Sequence, residues 1–199
     1  MRQIIGFIVN MLPYMIIALP ILIIVRLVAY LHKKDKEVKV KFWHEAGIIV
    51  FGLYLVGLAS QTVIPKLEYG IGGISIIGGG IDHSRINLIP FNKVIETWQI
   101  AYIDGYIDYF IIEVLGNIGV FLVIGFMLPL LWKRFESLRA TVLTCFLISL
   151  FIEVVQLVLP RATDVDDLLM NVLGGLVGYY IYKGIKMFSP IFLNNFKKC

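Results

Sequence analysis

The stretch Ile111–Trp132 reads IIEVLGNIGVFLVIGFMLPLLW and holds one charged side chain, Glu113. As a helix it would extend about 33 Å, which matches the roughly 30 Å hydrocarbon core of a bilayer. An apolar run of this length is typical of a membrane span, and its main chain can satisfy its hydrogen bonds there only as a helix. The stretch therefore predicts a transmembrane helix.

Four more apolar runs accompany this one, and the composition agrees with a bilayer environment. Hydrophobic residues make up 59% of the 199-residue chain, charged residues make up 16%, and the mean hydropathy is +0.86. Soluble domains carry about a quarter charged residues, so this chain is unsuited to building a water-exposed surface. We predict an all-α polytopic protein, a single membrane domain over residues 1–199, with five spans at about 4–31, 46–63, 111–132, 140–159 and 167–187.

Basic residues cluster in three short segments that share one side if the five spans alternate. The positive-inside rule makes that side cytoplasmic. The N-terminus is then outside, the C-terminus is cytoplasmic, and the long segment Ile64–Phe110 between the second and third spans is outside. This bias accounts for the net charge of +4, so we expect no nucleic-acid partner. The basic residues are Lys33, Lys34, Lys36, Lys39 and Lys41, then Lys133, Arg134 and Arg139, then Lys183, Lys186, Lys197 and Lys198.

The long outer segment contains two features that are unusual in a loop. Residues 70–80 read GIGGISIIGGG, which is apolar but far too short to span, and they form either a re-entrant piece or a surface hairpin. Further on, Trp98, Tyr102, Tyr106 and Tyr109 recur at helical spacing. Aromatic side chains favour the membrane interface, so we predict a short helix lying there.

Polar residues in and beside the last three spans fall at the predicted outer end. Glu113 and Asn117 are four residues apart and share a face of the third helix, and Glu153 and Gln156 share a face of the fourth. Ionisable groups at membrane depth are costly and face the protein interior or water. We predict that these residues converge on one outward-facing pocket, and that nearby glycines let the helices approach. The other polar residues are Arg161, Asp164, Asp166, Asp167 and Asn171, and the glycines are Gly116, Gly119, Gly174 and Gly178.

Several short motifs follow one another in a fixed order between residues 85 and 182. They are Asn87-Leu-Ile-Pro90-Phe91, then Gly116-Asn117 followed by Phe121, Gly125 and Pro129, then Glu153-x-x-Gln156, then Arg161-x-x-Asp164-x-Asp166-Asp167-x-x-x-Asn171-x-x-Gly174. Together they resemble the VanZ family, small bacterial membrane proteins linked to resistance against glycopeptide antibiotics such as teicoplanin. One departure is Val123, which stands where the family often has a proline. The resemblance implies a multi-pass protein of the bacterial cell membrane.

The resemblance implies a phenotype, tolerance of glycopeptides, and leaves the chemistry to the residues. We expect an outward-facing polar site that binds a cell-envelope lipid, a lipid-linked wall precursor or the antibiotic. In this site Arg85 and Arg161 offer planar donors for phosphate or carboxylate, and the amides offer neutral hydrogen bonds. The expected ligand-binding residues are Arg85, Asn87, Asn117, Glu153, Gln156, Arg161, Asp164, Asp166, Asp167 and Asn171.

Two other interpretations of the same residues stay open. In one, the chain is a metal-assisted enzyme acting on a lipid-linked envelope component, with Asp164, Asp166 and Asp167 as oxygen ligands of a divalent cation. In the other, the charges are structural: the aspartates cap the fifth span, and Arg161 pairs with Glu153 or an aspartate. Beyond that possible cation we expect no cofactor, and the sequence leaves the oligomeric state open.

Overall fold

The computed structural model describes residues 2–34, 41–65, 67–70, 73–76, 83–159 and 161–197. Within these ranges five helices are long and apolar enough to cross a membrane, which confirms the predicted all-α polytopic fold. The elements are α1 (Arg2–Lys34), α2 (Phe42–Thr62), β1 (Leu67–Gly70), β2 (Gly73–Ile76), β3 (Ile86–Asn87), α3 (Asn92–Ile103), α4 (Ile107–Phe110), α5 (Gly116–Leu131), α6 (Leu138–Gln156), β4 (Thr163–Asp164), α7 (Val165–Phe188) and α8 (Pro190–Asn194).

The third and fourth spans differ in length from the prediction. α4, a π-helical turn at Ile111–Leu115 and α5 follow one another directly, so the third span covers Ile107–Leu131. α6 ends earlier than predicted, at Gln156, because Val158 and Leu159 donate to carbonyls three residues back and form a turn. The turn leads into a proline, and the residue before a proline avoids the helical region.

α5 and α7 make the most extensive helix contact in the bundle. Three glycines permit it, because a Cβ atom added at Gly125, Gly174 or Gly178 would overlap the main chain of the facing helix. The predicted packing role of Gly174 and Gly178 is confirmed. The same prediction for Gly116 and Gly119 is wrong, because Cβ atoms added there would meet no atom of a neighbouring helix within 4 Å. On α5 the close contact therefore involves the main chain from Ile118 to Gly125 and not Gly116 or Gly119.

α1 lies at the edge of the bundle, where it packs on α2. Met11 and Met15 contact the helix at Gly57, while most other α1 side chains are exposed, as suits a helix that faces lipid tails. The main hydrophobic core lies between α2, α5 and α6 and includes Phe51 and Phe121. α1 is therefore a peripheral cover on a core built from the later helices.

The segment between the second and third spans contains a short β-hairpin. β1 and β2 pair antiparallel, with Gly70 opposite Gly73. Of the two alternatives for residues 70–80, this backbone favours the hairpin, and residues 71–72 and 77–82 lie outside the described part of the chain.

The predicted aromatic helix is two elements instead of one. α3 ends at Ile103, Gly105 adopts a φ of 75° that suits glycine, and Tyr109 belongs to the third span. The prediction of one helix through Tyr109 is therefore wrong. Trp98 of α3 packs edge to face against Phe110 across the break, with ring centroids 5.4 Å apart. This contact holds α3 beside the start of the third span.

Residues from all three basic segments meet at one end of the bundle. The Nζ of Lys41 donates to the main-chain oxygen of Asn194 at 2.8 Å, which joins the start of α2 to α8. Glu136, in the loop between α5 and α6, pairs with Lys186 and Lys197. The assignment of this end to the cytoplasm stays a prediction. The basic residues that lie outside the described part of the chain are Lys36, Lys39 and Lys198.

Candidate functional site

Asp166 joins the start of α7 to the start of α3. Its carboxylate is 1% exposed and accepts hydrogen bonds from the main-chain N–H groups of Phe91, Lys93 and Val94 at 2.5, 2.8 and 3.2 Å. The first turn of a helix leaves such N–H groups without partners inside the helix, and negative charge is favourable there. Asp166 therefore caps α3 from another element and holds it over the end of the bundle.

Asp164 ties together three segments at the same end. Its side chain accepts from the main-chain N–H of Asp166 at 2.9 Å, which caps α7, and from the amide of Asn87 at 3.2 and 3.3 Å. The main chains of Asn87 and Asp164 are paired in the parallel strands β3 and β4. The Asp164 N–H donates to Glu153 at 3.0 Å. The structural interpretation is confirmed for the capping role of Asp164, and Asn87 lies in the same network.

One lysine neutralises two carboxylates beside this network. The Nζ of Lys93 lies 3.0 Å from Glu113 and 3.0 Å from Asp167, and Asn117 donates to Asp167 at 2.8 Å. Burial opposes the charge of Lys93, but attraction to Asp167 and Glu113 outweighs it and raises the pKa of Lys93 above its ordinary value. The lysine is therefore protonated at neutral pH, and the stability that comes from its raised pKa is lost as the pH rises into the strongly alkaline range.

A cavity of about 100 Å³ is lined by residues of α1, α2, α5, α6 and α7, including Asn117 and the Lys93 partner Asp167. Such a volume holds several waters or a small polar group. The lining combines one polar and one apolar set of side chains, and the polar set contains half of the predicted ligand-binding residues. The polar residues are Thr62, Asn117, Glu153, Gln156, Asp167 and Asn171. The apolar residues are Phe7, Leu58, Val120, Phe121 and Ile152.

The amide side chains of the cavity are anchored by their N–H groups. Asn171 donates to the hydroxyl of Ser149 at 2.9 Å within the buried bundle. Gln156 donates to the main-chain oxygen of Thr62 at 3.5 Å, which links α6 to the end of α2. These contacts fix the positions of both side chains, so the cavity has a preformed polar surface.

Arg85 and Arg161, the two arginines predicted to bind the ligand, are not among the residues that line the cavity. Arg161 donates to the main-chain oxygens of Gln61 and Thr62 at the end of α2, and burial lowers its pKa. Helix C-termini present carbonyls without partners and favour a positive charge. Among the described residues, the predicted pairing of Arg161 with Glu153 or an aspartate is wrong. Its guanidinium donates to these main-chain carbonyls instead. Arg85 has an exposed side chain.

The three aspartates suggested as cation ligands turn toward different partners. Asp164 contacts Asn87 and the start of α7, Asp166 caps α3, and Asp167 contacts Lys93. Across the described ranges of the chain, no group of three or more His, Cys, Asp and Glu side chains is placed to hold a metal ion. The geometry in those ranges therefore does not build the divalent site that the sequence suggested.

Sequence reasoning missed Lys93 and placed Glu113 in the pocket but not among the expected ligand-binding residues. Lys93 is the single lysine between Lys66 and Lys133, and it follows directly on the Asn87–Phe91 motif and Asn92. A cation in a segment that faces several carboxylates can serve as their counter-ion. The sequence therefore shows the lysine itself. Which carboxylates it contacts depends on where α3 lies in the structure.

Comparison with known proteins agrees with the motifs. The sequence model of the VanZ/LLP1 family matches residues 48–189. This range begins within α2 and includes every predicted ligand-binding residue. Searches of curated proteins and of solved structures found no match. Because the family match covers well over half of the 199 residues, this membrane protein belongs to the VanZ/LLP1 family.

Proposed function

We propose that the protein promotes tolerance to glycopeptide antibiotics such as teicoplanin, and that it does so through a polar cavity at the outer face of the bacterial cell membrane. The cavity takes up a polar group of its ligand, which is a cell-envelope lipid, a lipid-linked wall precursor or the antibiotic. Family membership supports the phenotype. The lysine-rich opposite end supports the outward orientation, through the positive-inside rule.

The observation that carries the proposal is the polar lining of the cavity. It brings together Asn117 of α5, Glu153 and Gln156 of α6, and Asp167 and Asn171 of α7, all within membrane-spanning helices. Buried charges stabilise a fold poorly, since apolar residues of similar volume would pack as well or better. A polar cavity kept within a helical bundle therefore supports a role in binding.

The structure also narrows the set of residues that we propose for the ligand. Asp164 and Asp166 give their carboxylates to main-chain N–H groups at helix starts, which accounts for them as structural residues. Arg161 is engaged with the end of α2. We therefore assign ligand contact to Asn117, Glu153, Gln156, Asp167 and Asn171. The hydrogen-bond network around them has a supporting role.

Tolerance measurements on cavity variants test this proposal. The full chain and its variants are expressed in a glycopeptide-susceptible bacterium, and the minimal inhibitory concentration of teicoplanin is measured together with the amount of inserted protein. We expect Glu153→Gln and Asn171→Ala to return the inhibitory concentration to that of cells without the protein. Glu153→Gln is the sharper variant, because glutamine keeps an oxygen for the Asp164 N–H.

Matched controls separate loss of the site from general damage. Glu96 and Asp104 are exposed residues on and just after α3. Glu96→Gln makes the same chemical change as Glu153→Gln away from the cavity, and Asp104→Asn neutralises a second exposed carboxylate there. Both are expected to keep full tolerance. Full tolerance in the cavity variants at wild-type abundance would contradict the proposal.

A further inference from the structure

Glu153 is a buried carboxylate without a cationic partner in the described part of the chain. Its residue is 5% exposed, it lines the cavity, and it accepts one hydrogen bond, from the Asp164 N–H at 3.0 Å. The nearby Lys93 is shared between Glu113 and Asp167, and Arg161 is directed at main-chain oxygens. A buried negative charge is strongly unfavourable unless a cation or several donors compensate it.

Among the described residues, two amides of the cavity keep an oxygen atom as an acceptor: Asn117 has used both of its N–H donors, and Gln156 has used one of its two. Asn117 donates to the main-chain oxygen of Glu113 and to the carboxylate of Asp167, and Gln156 donates to the main-chain oxygen of Thr62. Carbonyl oxygens only accept, and so does the carboxylate that is paired with Lys93, so these contacts fix which end of each amide is the donor. The amide oxygens are left to accept from a ligand.

The charge balance of the cavity therefore favours a ligand that donates. Glu153 supplies negative charge, and Asn117 and Gln156 supply acceptors. Phosphate brings negative charge and only acceptors, and two carboxylates in the lining, Glu153 and Asp167, would repel it. The nearby Lys93 already pairs with Glu113 and Asp167. Five apolar side chains in the same lining suit an alkyl group attached to the donor.

We propose that the cavity binds a primary ammonium group, with Glu153 as its counter-ion and the amide oxygens of Asn117 and Gln156 as acceptors. The proposal rests on the proposed function and names the chemical class of its ligand. An ammonium group has three N–H donors and a compact charge, which matches one carboxylate and two amide oxygens. The amine belongs either to a lipid-like amphiphile or to a water-soluble molecule.

Calorimetric titration of the purified full chain in a neutral detergent tests this class. The main probe is n-octylammonium chloride, titrated also into empty micelles for subtraction. n-Octyltrimethylammonium keeps the charge and tail but lacks N–H donors, and n-octyl phosphate reverses the charge. We expect octylammonium to bind about tenfold or more tightly than either, and Glu153→Gln to weaken its binding by about tenfold or more while Glu96→Gln leaves it unchanged.

Methylammonium chloride and sodium chloride complete the test. If methylammonium binds as tightly as octylammonium, the source of the ammonium is water-soluble; if it binds weakly, the source is an amphiphile, and both results support the ammonium class. The inference is overturned if octyl phosphate binds as tightly as octylammonium, if Glu153→Gln leaves binding unchanged, or if sodium alone abolishes octylammonium binding. Loss of tolerance in Glu153→Gln without amine binding would overturn this inference alone, whereas amine binding without any tolerance in wild-type cells would overturn the proposed function.

Discussion

The two ends of the helix bundle both bury charged groups, but they balance them in opposite ways. At the basic end, Glu136 meets both Lys186 and Lys197, and Lys197 also contacts the hydroxyl of Tyr182 at 3.0 Å. At the opposite end, Lys93 serves both Glu113 and Asp167 while Glu153 has no cationic partner among the described residues. Cations are in excess at one end, and carboxylates are in excess at the other.

This difference separates closure of the fold from the proposed binding site. The contacts of the basic end dock α8 and the residues after it onto the bundle, and the buried Leu193 and Tyr182 pack beneath them. The acidic end instead holds a polar cavity among its helices. We therefore expect substitutions at the basic end to change stability alone, and substitutions in the cavity to change function at nearly constant stability.

The largest stability effect is expected from Asp166→Ala at the acidic end. The change removes the acceptor of three main-chain N–H groups at the start of α3, and buried donors without partners cost about 1–3 kcal/mol each. We expect a loss of about 3 kcal/mol or more in unfolding free energy. Thermal or denaturant unfolding in detergent measures it, with Asp104→Ala as the control. A loss below about 1 kcal/mol would contradict the cap of α3 by Asp166.

A smaller loss is expected from Lys93→Met, which leaves Glu113 and Asp167 facing each other without their cation. Breaking a buried pair costs about 3–5 kcal/mol, and partial exposure of these side chains reduces the expected loss to about 2 kcal/mol. Adding Asp167→Asn to Lys93→Met should restore part of the stability, because it removes one of the uncompensated charges. A double variant less stable than Lys93→Met would contradict the shared-lysine arrangement.

At the basic end, Lys197→Ala is expected to cost about 1 kcal/mol, since Glu136 keeps Lys186 as a partner. Tolerance per inserted molecule should stay at the wild-type level. The measurement pairs thermal unfolding with the teicoplanin inhibitory concentration. Loss of tolerance in stably inserted Lys197→Ala protein would place function at both ends and remove the distinction between them.

The smallest effect is expected from Arg85→Ala. The side chain is exposed and is not among the residues that line the cavity, although the sequence motifs placed it in the site. We expect unchanged abundance and unchanged teicoplanin tolerance. Abolished tolerance would extend the functional surface from the cavity to the segment before α3.

The sequence predicts the spans and much of the cavity, because both depend on local patterns. Apolar runs mark the helices, and helical spacing places Glu153 with Gln156 and Asp167 with Asn171 on common faces. These pairs do line one cavity, together with Asn117. Local periodicity therefore suffices for the cavity residues that lie within the long helices.

The sequence does not predict which acidic residues are structural. Asp166 caps α3, an element more than seventy residues earlier in the chain, and nothing in its own neighbourhood indicates that partner. The break after α3 was missed for a similar reason. The helical spacing of the aromatic residues continues past Gly105, whereas the helix itself ends at Ile103. Contacts between distant segments decide both features.

The most direct test of this account compares the same substitution at the two ends. Glu153→Gln and Glu136→Gln each replace a glutamate carboxylate by an amide, the first in the cavity and the second at the basic end of the bundle. The measurement is the teicoplanin inhibitory concentration per inserted molecule in a susceptible bacterium. The account predicts that Glu153→Gln loses tolerance and Glu136→Gln keeps it. Equal tolerance in the two variants, or loss in Glu136→Gln alone, would contradict it.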